Sequence, residues 1–108
     1  MSRFKLLAFL AFVLLVSVPS GTAQAQTPAS VNVSQNAEYG DILVDASGMT
    51  LYLFTNDERN KSNCAGGCAT AWPPLLTVGD PTAGDGVTAD KLGTITRDDG
   101  YIQVTYNG

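Results

Sequence analysis

The sequence predicts a mainly β domain: a small antiparallel sheet of hairpins, a disulfide-stapled loop and at most one short helical turn. Three observations predict it. Short β-branched and aromatic runs alternate with glycine-bearing turns. No stretch sustains the period of an amphipathic helix. The two cysteines, Cys64 and Cys68, are four positions apart with Gly66 and Gly67 between them. The 108-residue length fits one domain.

The N-terminus reads as an export signal. Met1-Ser2-Arg3-Phe4-Lys5 is a short basic start, residues 6–18 are almost wholly apolar, Pro19, Ser20 and Gly21 interrupt them, and Ala23-Gln24-Ala25 is a small-x-small cleavage site. Thirteen apolar residues fall short of the roughly 20 that a membrane-spanning helix needs. The expected products are a signal peptide over residues 1–25, cleaved near Ala25, and a secreted or periplasmic chain with no stable membrane anchor. No cysteine stands at the cleavage point to take a lipid.

Residues 26–36 are polar and aperiodic, a linker or a loosely held first strand. The β domain is expected over residues 37–108. Ile42-Leu43-Val44 and residues 49–54 are strand-forming runs around the turn Asp45-Ala46-Ser47-Gly48, hence a hairpin. Residues 56–67 read as loop. Ala69-Thr70-Ala71-Trp72 reads as one helical turn that Pro73-Pro74 stops. Residues 75–90, holding Gly79, Pro81, Gly84 and Gly86, read mostly as loop. Residues 92–97 and 101–106 read as two further strands joined by Asp98-Asp99-Gly100, with Gly100 left-handed. Asn107-Gly108 is a hairpin-turn dipeptide directly after a good strand. Residues 101–106 are then expected to lack one neighbour, and the domain to be an incomplete repeat unit that continues past Gly108.

Composition excludes several chemistries. There is no histidine, which removes Ser-His-Asp and Cys-His catalysis and imidazole metal or haem ligation. Beyond the signal the chain holds 4 basic and 10 acidic residues, net −6, which disfavours nucleic acid and anionic lipid as partners. Asp98 and Asp99 are adjacent in a turn, so their carboxylates diverge rather than face across a cleft. Asp80, Asp85 and Asp90 read as a solvated acidic loop, because their spacing matches no calcium loop.

Both cysteines follow the signal and meet an oxidising compartment, where two cysteines have a single pairing. As a staple on a five-residue loop the bridge contributes about 2 kcal/mol by loop entropy. Two other readings stay open. One is a redox-active dithiol, with Arg59 and Lys61 as the near cations. The other is a metal site, in which Met49 joins the two thiolates on copper.

Leu51-Tyr52-Leu53-Phe54-Thr55-Asn56-Asp57 contains Tyr-x-Phe-x-x-Asp. It is followed by Cys64-Ala65-Gly66-Gly67-Cys68-Ala69, by Ala71-Trp72-Pro73-Pro74-Leu75, by residues 92–100 and by residues 103–108. In this order the segments resemble the bacterial secreted-repeat family of unknown function, predicted lipoproteins with a Tyr-x-(Phe/Trp/Tyr)-x-x-Asp motif. The resemblance covers residues 37–108. It implies fold and an exported, cell-envelope setting, and carries no established reaction. It marks Tyr52, Phe54, Asp57, Trp72, Pro73 and Pro74 as family positions. It also implies a second Leu-Tyr-x-Phe segment after the Asn-Gly, and a lipid-anchor cysteine that this chain lacks.

Tyr52 and Phe54 share one face of the expected strand, with Leu51 and Leu53 on the other, so the run reads as buried core. The rival reading is an aromatic ligand platform with Asp57 as its polar partner. Asp57 itself reads as a cap on the following turn. Trp72 reads as a lid on a small core, or as an exposed partner contact. The expected function is an exported binding or structural module with no catalytic residues and no cofactor, whose partner is a cell-envelope protein or a small ligand. An extracytoplasmic redox carrier using Cys64 and Cys68 is the first alternative, and a metal-binding module the second.

Overall fold

The computed structural model describes residues 13–17 and 27–108. The export signal and its cleavage near Ala25 otherwise lie outside the described residues. Among the described residues no helix is long and apolar enough to cross a membrane.

Two small sheets build the fold. The first has three strands, with the first in sequence at its centre. Strand β1 (Ser30–Asn36) pairs antiparallel with β2 (Gly40–Val44) from Asn32↔Val44 to Asn36↔Gly40. It pairs parallel with the two-residue β3 (Thr82–Ala83). Of the two readings for residues 26–36, residues 30–36 take the strand. Alternation explains why: Val31 and Val33 are its apolar positions, and Val31 is 1% exposed. The β1–β2 turn is organised by Asn36, whose Oδ1 accepts the N–H groups of Glu38 and Tyr39 at 2.9 and 3.0 Å.

The second sheet pairs β4 (Leu92–Thr96) with β5 (Ile102–Tyr106), from Leu92↔Tyr106 to Thr96↔Ile102. Asp98-Asp99-Gly100 turns the chain, with Gly100 at φ 86° and Asp99 Oδ1 accepting the Tyr101 N–H at 3.0 Å. A 3-10 turn, Ala89–Lys91, leads into β4.

The free edge expected on residues 101–106 is covered. Thr77 N–H donates to Ile102 O at 3.0 Å, Val104 N–H donates to Leu75 O at 2.9 Å, and Leu76 bridges Gln103 antiparallel. Residues 75–77, read as loop, therefore act as a third strand against β5. Asn107 and Gly108 do take the positive φ values, 53° and 79°, that their dipeptide favours.

The expected strand over residues 49–54 is cut short. Asp45 turns the chain as predicted, its Oδ1 accepting from Ser47 and Met49, and Val44 bridges Thr50. Leu51 N–H still reaches Leu43 O at 2.8 Å, and the pairing ends there. Residues 52–54 then run outside any strand. Among the described residues the one α-helix, α1 (Gly67–Ala71), sits where the helical turn is expected, and the chain leaves it at Trp72 into Pro73.

The core is thin. Among the described residues the buried side chains are Val31, Val44, Cys64, Thr77 and Arg97. Val31 and Val44 line the first sheet. Cys64, Thr77 and Arg97 join loops to strands.

Candidate functional site

The chemistry-bearing residues gather on one loop system. Residues 51–57 leave β2 and protrude. Asp57 ends this stretch by accepting the Asn63 N–H on Oδ1 at 2.7 Å, while Asn63 Nδ2 donates back to Asn56 O at 2.8 Å. The capping role read for Asp57 thus holds across a span of six positions, and this carboxylate oxygen is committed to the backbone.

Cys64 and Cys68 form the disulfide, with Cα atoms 5.3 Å apart. Both sulfurs are in the bridge, so they do not stand as thiolate ligands for copper with Met49. Among the described residues no three metal-binding side chains cluster. The bridge spans the start of α1, where Gly66 takes φ 57°. Thr70 N–H to Gly66 O and Trp72 N–H to Cys68 O close the helical turn. Trp72 is therefore aimed by the disulfide through α1.

Trp72 meets Tyr52. Their rings stand edge to face, centroids 5.8 Å apart and planes at 67°, a favoured aromatic geometry. The pair does not form the core expected of it. Tyr52 is 76% exposed, the neighbouring Leu53 85% and Trp72 61%, and Pro73 is exposed as well. Phe54 and Pro74 are half-buried. The physical reason is the lost strand: without pairing beyond Leu51, neither face of residues 52–53 is pressed onto a sheet.

Sequence reasoning missed Arg97, which was read only as a strand end. Its side chain is buried and holds the disulfide loop against the β4–β5 hairpin. Nη2 donates to Cys64 O at 2.8 Å. Nη1 donates to Ser62 Oγ at 3.2 Å and to Gln103 Oε1 at 2.7 Å. Nε meets Asp99 Oδ2 at 3.3 Å. The available signal was an arginine closing a β run directly before a turn, on a hairpin whose other strand carries the polar Gln103, where a buried cation needs several acceptors. Arg59 and Lys61, the cations read as near the cysteines, are exposed and engaged elsewhere. Arg59 reaches Asn107 O, and Lys61 pairs with Glu58 at 3.4 Å.

No curated protein and no solved structure matches the chain. A family model does, and its span begins within β1 and ends on the segment beside β5. It includes the protruding aromatics, the disulfide loop and Trp72-Pro73-Pro74, and leaves out β4 and β5. Over residues 33–76 the chain matches the model of a family described as a secreted repeat of unknown function, the same family that its motifs resemble.

Proposed function

We propose that this chain is an exported β module of the cell envelope that works by binding rather than catalysis, with Tyr52, Leu53 and Trp72 as its contact surface. One observation carries the reading. Two large aromatics are fixed against each other by ring contact, yet both remain mostly exposed beside an exposed leucine. Tyr and Trp held this way offer large contact area at low entropic cost, which is why they dominate binding hot spots. Contiguous exposed apolar groups mark interaction sites. The disulfide supports the same reading, because it stiffens the loop that presents Trp72.

The partner is a cell-envelope protein or a small ligand with an apolar face. The acidic balance of the chain disfavours nucleic acid. Export follows from the signal over residues 1–25, cut near Ala25, and the secreted description of the matching family agrees with export in general. The test places a photo-crosslinking amino acid at Trp72, and at the exposed Val78 as a control, in cells that export the chain. Adducts at position 72 and not at 78 are expected. Equal labelling at both positions, or none at 72, overturns the reading.

A further inference from the structure

We propose that the Cys64–Cys68 bridge is a thiol–disulfide exchange site in which an incoming thiolate attacks Cys68 Sγ, Cys64, the residue whose carbonyl Arg97 holds, leaves as a thiolate, and opening the bridge releases Trp72. This goes beyond the binding reading and does not depend on it.

The two sulfurs are not equivalent. Cys64 is buried, and its backbone is held on both sides. Its N–H donates to Ser62 Oγ at 3.3 Å, its carbonyl accepts from Arg97 Nη2 at 2.8 Å, and Arg97 Nη1 also grips Ser62 Oγ. Cys68 is half-exposed on α1. Access selects which sulfur is attacked, and the stability of the leaving thiolate helps to set the rate. A neighbouring cation favours a thiolate over a thiol. Asp99 takes part of the Arg97 charge at the Nε edge, while Nη2 sits on the backbone carbonyl of Cys64, which keeps the cation next to this residue. Approach from solvent at Cys68, with Cys64 as the leaving sulfur, is thus the favoured direction.

The chemistry balances. A donor thiolate, R–S⁻, bonds to Cys68 Sγ as the Cys64–Cys68 bond breaks, leaving a mixed disulfide on Cys68 and Cys64–S⁻. A second thiol of the donor then displaces Cys68. The donor, an exported protein dithiol, becomes a disulfide. Two electrons and two protons pass to this chain, which ends as two free thiols.

The consequence for Trp72 follows from the size of α1. Five residues are too few for a helix to persist in water alone. The hydrogen bonds that close it, from Cys68, Thr70 and Trp72 to Ala65, Gly66 and Cys68, are all local. The bridge ties it to the stretch that Arg97 holds. Once the bridge opens, α1 frays and the Trp72 N–H loses its place on Cys68 O, while β4 and β5 keep their pairing.

The experiment pulses the oxidised full-length mature chain with reduced glutathione, alkylates free thiols, and reads the adduct position by fragment-ion mass spectrometry. Glutathione on Cys68 with alkylated Cys64 is expected to exceed the reverse by about tenfold or more. Equal adducts, an excess on Cys64, or no adduct at millimolar glutathione overturns the proposal. Hydrogen exchange on the fully reduced chain is expected to speed at residues 67–72 and stay slow in β4 and β5. Unchanged exchange at 67–72, or loss of protection throughout, overturns the release of Trp72. Arg97→Lys is expected to keep the adduct preference and Arg97→Gln to lose it. If either variant fails to fold, the adduct ratio of the unmodified chain still decides.

Discussion

A tryptophan that rests on a tyrosine ring and still shows most of its surface to water contributes little to folding, which is where Trp72 and Arg97 part company. Arg97 has no solvent to fall back on. It bonds Ser62, Cys64 and Gln103 at once, so its removal takes a donor from all three, and an unpaired buried polar group costs about 1–3 kcal/mol. Trp72 gives up only its edge-to-face contact with Tyr52. Trp72→Ala is therefore expected to lower stability by no more than about 1 kcal/mol, against about 3–5 kcal/mol for a buried aromatic. A chemical denaturation midpoint for the variant checks this, and a loss in the upper range would place the ring in a core. Neither residue could be ranked from sequence, because burial depends on what lies opposite. Nothing in the local pattern around Arg97 shows the Cys64 carbonyl 33 positions away.

At the scale of elements, the parts written in local chemistry were legible and the parts closed by distant partners were not. The turns at Asp45 and Asp99, the helical turn before Pro73 and the β4–β5 hairpin follow from side-chain caps and glycine positions within a few residues. Residues 75–77 form no strand pattern of their own and become strand-like only because β5 lies beside them. Residues 52–54 have strong strand composition but no partner beyond Leu51, so composition alone misleads there. Strand β1 depends in the same way on residues 82–86, which lie along it: Gly84 N–H reaches Val31 O at 2.8 Å and Val33 N–H reaches Asp85 O at 2.9 Å. Gly86 closes this approach at φ 78°, and a Cβ there would stand 2.8 Å from Val33 Cβ. Gly48 has a similar φ of 80° with open space around it. Gly48→Ala pays only the left-handed backbone cost of about 1 kcal/mol, whereas Gly86→Ala adds a clash. Thermal unfolding of both variants is expected to rank Gly86→Ala as clearly the more damaging, and equal losses would show that the approach to β1 relaxes freely.

At the scale of the molecule, the described residues form two small sheets, neither of which buries enough apolar surface to stand alone. What joins them is polar. Thr77 lies at the junction, 4% exposed. Its N–H pairs with Ile102 O in the second sheet, its Oγ1 accepts the Ala29 N–H at 2.9 Å just before β1, and the same hydroxyl donates to Gly79 O at 3.1 Å. One residue thus ties the entry of the first sheet to the edge of the second, through its side chain and its backbone, and Arg97 ties the second sheet to the disulfide loop. A thin apolar core with polar ties makes unfolding cooperative only while those ties hold. Thr77→Val keeps the shape of the side chain and removes the hydroxyl that accepts the half-buried Ala29 N–H and donates to the Gly79 carbonyl. The expected loss is about 1–3 kcal/mol, with a second signature that a local defect would not give. Amide exchange in β1 is expected to speed relative to β5, because the first sheet then opens without the second. Hydrogen exchange measured strand by strand checks it: uniform acceleration of β1 and β5 would mean that the sheets remain one cooperative unit held by other contacts.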